Sequence, residues 1–402
     1  MALSTNNRVF YACQSAAIKA NGGALTWTTG HVVFGAQSIG ITTNINLTQL
    51  FQLGNIEIYE NAELLPDVEV SLQKIMDGRC PAYLLATTAA TSPTLVGRSA
   101  SRCDIGLAIY PDTNNYASGT PLTVCANSGM YINSVSYSFG TDGAFTEDVS
   151  FVGNNKIWTQ RPGTATGTPN YGEPDLGTMP TITWNAHMPA SSEPTAIGGV
   201  SLSQEFIWDL PTGTLTADTN GAVNHADVSV VPSEIQGISI SGTNQKTNGE
   251  KYDANINTIT ASVNLNRESI DQLGKRGPYF RNVSFPVEVS CEINTTSSEG
   301  DLISVTEQGI FGTGVGLCSS DRTNVRDRTI RLATCDGLRV YLGRKNKLAN
   351  VTYGGGDAGG GNVTVTYQYS TFNDFTVMHI SDVHASGSLW WAARNTNSFV
   401  VQ

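Results

Sequence analysis

Residues 37–54 read QSIGITTNINLTQLFQLG, and residues 257–274 read NTITASVNLNRESIDQLG. In each stretch the first part, 38–45 and 258–265, alternates polar and apolar side chains, the period of a strand with one buried face. Asn44 and Asn46, like Asn264 and Asn266, then stand where they can cap a short helix. Gly54 and Gly274 stand where a left-handed residue ends one. The pattern predicts a strand followed by a short helix, twice in one chain.

The correspondence extends outward from these stretches. Gln52-Leu53-Gly54 and Gln272-Leu273-Gly274 lie 220 positions apart, and Tyr59 with Tyr279 and Pro66 with Pro286 keep that spacing. Val-Glu-Val follows each proline, at 68–70 and 287–289, and proline at a strand's start forgoes only one ladder bond. Downstream the spacing becomes 216: Leu122 and Val124 match Leu338 and Val340, and Ser134 to Tyr137 match Asn350 to Tyr353. Val149-Ser150-Phe151 likewise matches Val365-Thr366-Tyr367. Shared order at a nearly constant spacing points to a duplication. Each unit reads strand, short helix, strand, long variable loop (73–121 in the first), then a hairpin. The hairpin tips are glycine-rich, Phe139 to Gly143 and Gly354 to Gly361. The expected architecture is mainly β: two tandem β domains, 1–185 and 186–402, each with one short helix. Residues 159–185 read as a linker. Residues 186–256 read as an extension before the second unit, and 385–402, with Trp390 and Trp391, as a docking arm.

Composition narrows the function. The 402 residues carry a net charge of −11, which disfavours general nucleic-acid binding because phosphate affinity comes from Lys and Arg. The charge is uneven: 13 acidic against 8 basic side chains in 1–190, 8 against 2 in 191–256, and 13 of each in 257–402, so the second unit is the less acidic. Seven widely spaced cysteines without a CxxC pair read as free thiols and argue against zinc. Neither a signal peptide nor an apolar run of membrane-spanning length is evident.

No motif carries catalytic, cofactor or metal chemistry. The run Gly354 to Gly361 lacks the following helix that a phosphate loop needs and reads as a hairpin tip. His379, Asp382 and His384 cluster at spacings without precedent as a metal site and read as exposed loop residues. Glu57, Glu60, Glu63, Asp67 and Glu69 fall on an alternating segment and read as a solvent-facing strand edge. Lys275, Arg276 and Arg281, interleaved with Pro278, Tyr279 and Phe280, suit either a nucleic-acid stacking patch or a contact with an acidic neighbouring subunit. The first unit has Asn55, Ile56 and Asn61 there. Such divergence favours the subunit contact, since unlike faces specify register.

The stretches GITTNINLTQLFQLGNIEIYENAELLPDVEVSLQKIMDG (40–78), TEDVSFVGNNKIW (146–158) and SVNLNRESIDQLGKRGPYFRNVSFPVEV (262–289) resemble tail tube (major tail) proteins of tailed bacteriophages. That resemblance implies a β-sandwich or partial-barrel domain and rings whose inner sheets join into one barrel. It also implies stacking into an acidic-walled tube that conducts DNA without binding it. Implied partners are copies of the chain, with sheath, terminator or baseplate proteins, in a virion tail made in the host bacterial cytoplasm. A tandem domain implies a trimer of pseudo-sixfold symmetry, with a hexamer as the single-domain alternative. The repeat framework is then Gly54, Tyr59, Pro66, Tyr137, Gly274, Tyr279, Pro286 and Tyr353. The candidate subunit contacts are Lys275, Arg276, Arg281, Trp390 and Trp391. Another virion part, such as a baseplate or tube-initiator protein, is the near alternative, and a glycan-binding tailspike-like protein the distant one.

Overall fold

A computed structural model of the chain describes residues 9–20, 32–63, 66–77, 79–90, 92–110, 123–160, 196–197, 200–201, 228–230, 255–271, 273, 280–296, 330–334, 338–343, 345–355 and 361–379. The strands of the first part are β1 (Gln14–Ala20), β2 (Ala36–Asn44), β3 (Leu47–Phe51), β4 (Ile58–Glu63), β5 (Asp67–Ile75), β6 (Arg102–Ile109), β7 (Thr123–Gly140), β8 (Thr146–Gly153) and β9 (Asn155–Gln160). Then come β10 (Ala196–Ile197), β11 (Val200–Ser201), β12 (Val228–Val230), β13 (Asn255–Asn264), β14 (Arg267–Ile270), β15 (Phe280–Val283) and β16 (Glu288–Thr296). The last are β17 (Arg331–Thr334), β18 (Arg339–Tyr341), β19 (Lys347–Gly354), β20 (Thr364–Phe372) and β21 (Thr376–Met378). Among the described residues two short α-helices, α1 (Ala82–Ala86) and α2 (Leu95–Ser99), interrupt the first half, and a 3-10 turn (Tyr11–Cys13) precedes β1.

The fold is mainly β, with one large antiparallel sheet whose main path runs β19-β20-β16-β13-β7-β8-β5-β2. Alternation gives that sheet two unlike faces. Val70, Leu72, Val135, Tyr137, Val149, Phe151, Ile259, Ala261, Cys291, Ile293, Val365 and Tyr367 line one face and share a single core. Each of the valine, leucine, isoleucine and phenylalanine side chains among them contributes about 1.5–3 kcal/mol by leaving water. The other face is hydroxyl-rich and half open, with Ser134 against Ser150 at 2.7 Å and Ser262 against Ser290 at 2.8 Å.

The 18-residue β7 serves two neighbourhoods. Its first half pairs with β6 and β9, its second with β8 and β13. Gly129, at φ +65°, and a bulge between Ile132 and Ser134 mark the change, where a bulge re-aims a strand. A smaller sheet, β12-β17-β18-β21, supplies Leu332, Val340 and Val377 to the same core. Glu147 ties α1 to the sheet: its buried carboxylate accepts from Ala82 N (2.6 Å), Tyr83 N (3.1 Å) and the Tyr137 hydroxyl (2.7 Å).

The structure corrects the expected helices. Residues 47–51 and 267–270 are strands, each the first arm of a hairpin, β3–β4 and β14–β15. Leu47, Leu50 and Phe51 have a helix-like spacing, but each finds a cross-strand partner instead: Glu63, Glu60 and Ile58. Gly54 is left-handed, φ +88°, in a turn closed by Asn55 N donating to Gln52 O at 3.2 Å, so it turns a hairpin and ends no helix. The helices lie instead in 73–121, the stretch read as a loop. His379 is fully buried, not exposed; Asp382 and His384 fall outside the described residues.

Candidate assembly interface

Among the described residues, neither β2 nor β19 has a strand on its outer side, so each leaves a row of backbone donors and acceptors open. Ile39 and Ile41 on β2 are only partly buried, and Tyr353 on β19 is 54% exposed. In the middle of the sheet the first and second halves of the chain meet at an inner seam. There β7 meets β13 with Val135 opposite Val263 and Tyr137 opposite Ala261, and all four side chains are buried.

Beside that seam the β14–β15 hairpin is seated on the first half. Leu265, just before it, donates its N–H to Asn133 O at 2.8 Å and is 2% exposed. Arg267 sends Nε to Ile132 O (2.5 Å) and Nη2 to Ser99 O, and its guanidinium stands 4.8 Å from the Tyr131 ring centre. Burial lowers that guanidinium to about 10, opposed by Tyr131 and reinforced by the like charge of Arg281. Phe280 meets Tyr131 edge-on at 5.6 Å. Arg281 reaches Asp67 Oδ1 (2.5 Å) and Asn154 Oδ1 (2.9 Å) through Nη2.

The β3–β4 hairpin has the same strand pairing and no such seat. Every residue of β3 is exposed, as are Ile58, Tyr59, Glu60, Asn61 and Glu63 on β4. Ile45, which precedes β3 as Leu265 precedes β14, is 62% exposed. Leu53 and Ile56 at the tip are also bare. An apolar two-stranded hairpin is marginal in water by itself, and a contiguous exposed apolar patch marks a contact surface.

Of the residues flagged in the sequence, Arg281 is engaged inside its own chain, while Lys275, Arg276, Trp390 and Trp391 lie outside the described residues, as do Gly274 and Tyr279. Tyr137 is buried and Tyr59 and Tyr353 are exposed. Pro66 accepts from Asn154 Nδ2 at 2.7 Å beside the Arg281 site, and Pro286 is exposed ahead of β16. Glu57, Glu60 and Glu63 are exposed, but so are their neighbours on both faces of the hairpin, so it is the hairpin's lack of cover and not an alternation that exposes them. Arg267, Leu265 and Ile45 are not among the flagged residues; the signal that marks Leu265 and Ile45 is the apolar residue held between two asparagines, Asn44-Ile45-Asn46 and Asn264-Leu265-Asn266, and Arg267 follows directly on the second. Among the described residues no group of three or more His, Cys, Asp or Glu could hold a metal ion, and no helix is long and apolar enough to cross a membrane. The five described cysteines, Cys13, Cys80, Cys103, Cys125 and Cys291, are unbridged.

No family model and no curated protein matches the chain. Distant likenesses exist among solved structures, each at 10% identity. One is a chain of the sheath-tube complex of an extracellular contractile injection system, PVC, in its extended state (TM-score 0.27; 39% of this chain, 95% of that one). Another is the tube-terminating cap of the anti-feeding prophage (0.28; 40% and 100%). A third is a chain of the native gene transfer agent virion (0.24; 39% and 99%).

Proposed function

We propose that the chain is a structural virion subunit, a tail tube protein with a tandemly duplicated domain, which assembles with copies of itself into stacked rings. The observation that carries this reading is the sheet's strand order. Its two open edges, β2 and β19, hold the places in their halves that β13 and β7 hold at the inner seam.

Pairing registers support the duplication. Ile39 corresponds to Ile259 at the sequence spacing of 220. Ile39 faces Leu72 and Ile259 faces Ile293, so β5 answers to β16 at 221. Val70 faces Phe151 and Cys291 faces Tyr369, so β8 answers to β20 at 218. Ile132 faces Phe151 and Leu348 faces Tyr369, so β7 answers to β19 at 216. That last value is the spacing read from sequence for the same strands, whereas the pairing matches Val70 to Cys291 and Phe151 to Tyr369, two residues beyond the sequence matches with Val289 and Tyr367. Two bulges recur in step: Ala36/Ser38 with Ile256/Thr258, and Ile132/Ser134 with Leu348/Asn350. Bulges are specific features of a sheet, so coincident ones weigh more than matching strand lengths.

A second copy can therefore continue the sheet by the pairing already present inside each chain. Transferring the seam's register sets Ile41 opposite Tyr353 of the neighbour, and Thr43 opposite Val351. A head-to-tail step of this kind closes into a ring when its rotation divides the circle. Two units per chain make a trimeric ring with six near-equivalent sheets. The half-open face of each sheet carries Asp67, Glu69, Asp148, Glu288 and Glu292 amid Ser, Thr, Asn and Gln. Among the described residues Lys347 is the one cation these strands themselves place there, and Arg281 of β15 is paired with Asp67 at its rim. Turned inward, such a wall lets a polyanion pass without adhering.

Electron microscopy of the purified protein tests the reading. Rings with sixfold-like subdivision that stack into hollow filaments support the tube role. Assembly that stops at one ring supports a tube-initiator or baseplate role instead, and monomers persisting across salt and concentration overturn both.

A further inference from the structure

We infer that the segment Ile45–Glu63, with its bare hairpin, seats on a second copy of this chain at the end of β19 and β20. The intrachain seating of Leu265–Val283 is its pattern. The inference rests on the duplicated-ring reading and goes beyond edge pairing, because it names a second contact and its residues.

The correspondence fixes the partners. Within the chain, Leu265 N–H donates to Asn133 O at the β7 bulge. The equivalent bulge of β19 skips Ala349, which is exposed. Ile45 corresponds to Leu265, so its N–H donates to Ala349 O of the second copy and its side chain is buried there. Register within the hairpins is also shared: Leu47 opposes Glu63 as Arg267 opposes Val283, and Leu50 opposes Glu60 as Ile270 opposes Phe280. Glu60 thus takes the place of Phe280. Tyr131, which Phe280 and Arg267 both touch, is replaced on β19 by Lys347, an exposed cation. The aromatic and guanidinium packing of the inner seat becomes a carboxylate facing an ammonium, with the Leu47 side chain against the lysine stem. Asn61 takes the place of Arg281 and meets Glu288 and Phe372 where Arg281 meets Asp67 and Asn154. Phe372 is 56% exposed in the single chain, as expected of a surface awaiting cover.

Like residues do not recur at the two seats, but complementary ones do. The inner seat places cations of the hairpin on an acidic and aromatic platform. The outer seat places a carboxylate and apolar side chains on a platform with a lysine and a phenylalanine. Exchange of one hairpin for the other therefore pairs Arg267 with Lys347, a like-charge contact that disfavours the wrong register.

Cysteine cross-linking tests the seat. Glu60→Cys and Lys347→Cys are introduced singly and together, and each protein is oxidised under conditions where the unmodified chain assembles. The double variant is expected to give a ladder of linked chains on a non-reducing gel. A mixture of the two single variants is expected to stop at linked pairs, and each single variant alone is expected to match the unmodified chain. Rings by microscopy without the ladder overturn the seat and leave the ring reading standing. A link confined within one chain, with no linked pair from the mixture, overturns it as well. Absence of any assembly by the unmodified chain overturns seat and ring together.

Discussion

Arg281 lies 2.5 Å from Asp67, joining residues 214 positions apart and fastening the second hairpin to the first half of the chain. The guanidinium is buried, and its fork serves Asp67 and Asn154 at once. Asp67 is nearly half exposed, so water recovers part of what a lost partner removes. Arg281→Ala is expected to cost about 2 kcal/mol of unfolding free energy, the range for charged hydrogen bonds. Arg281→Lys is expected to recover little, because an ammonium cannot span both acceptors in the plane of a fork. Urea unfolding of the purified monomer reads both, and equal stability of all three proteins would remove Arg281 from the seam's energetics.

Glu147 offers a pH signature. Burial raises its carboxyl above the usual range, while Tyr137, Lys74 and the amides of Tyr83 and Ala82 oppose the rise. The folded chain therefore holds a proton that the unfolded chain releases. Its stabilising share is complete below the ordinary carboxylate value of 4.5 and is lost as pH climbs through the raised one. Glu147→Gln cannot titrate. It also offers one acceptor oxygen where the carboxylate uses two, at a cost of about 1–2 kcal/mol. The stability gap between the unmodified protein and this variant should narrow as pH rises from 4 toward neutrality. Parallel stability curves would mean that Glu147 does not titrate as its burial requires.

Much of this architecture was legible in the residues, and the exceptions have physical causes. Alternation in 258–265 and 68–72 named strands because one face of each is buried and the other is not. Glycine marked the β7–β8 tip because that turn places Gly143 at φ +87°. The helix expected over 46–53 failed because a spacing of three and four suits a hairpin as well when a cross-strand partner, here β4, lies further along the chain. The interface was less legible. Arg281 stood out by its charge, but whether a cation contacts its own chain or a neighbour depends on pairing 214 residues away. Ile45 and Leu265 look alike in sequence; only the fold gives one a seat and leaves the other bare.

That difference predicts a separation of effects. Leu265→Asp buries a carboxylate among apolar side chains and is expected to destabilise the monomer by at least ~3 kcal/mol. Ile45→Asp changes an exposed residue of the single chain, so its unfolding free energy should stay within ~0.5 kcal/mol of the unmodified protein. In assembly the order reverses. The folded Ile45→Asp protein is expected to need more than about tenfold higher concentration to form rings, a shift of ~1.4 kcal/mol. Sedimentation velocity across a concentration series measures this. Normal assembly of Ile45→Asp would exclude Ile45 as an anchor.

Charge reversal examines the same contact from its electrostatic side. Glu60→Lys and Lys347→Glu each place like charges together at the outer seat, and neither touches the inner seam. Each is expected to raise the concentration needed for rings by about fivefold, ~1 kcal/mol, the upper end for a pair that starts exposed. The double reversal restores opposite charges and should return to near the unmodified value. Added salt should weaken the unmodified contact and relieve the single reversals, because pairs near the surface are screened over about 8 Å at physiological ionic strength. Sedimentation at low and high salt distinguishes the cases. If the double reversal assembles no better than the worse single variant, Glu60 and Lys347 do not face each other, and the shared register of the two hairpins does not extend to their seats.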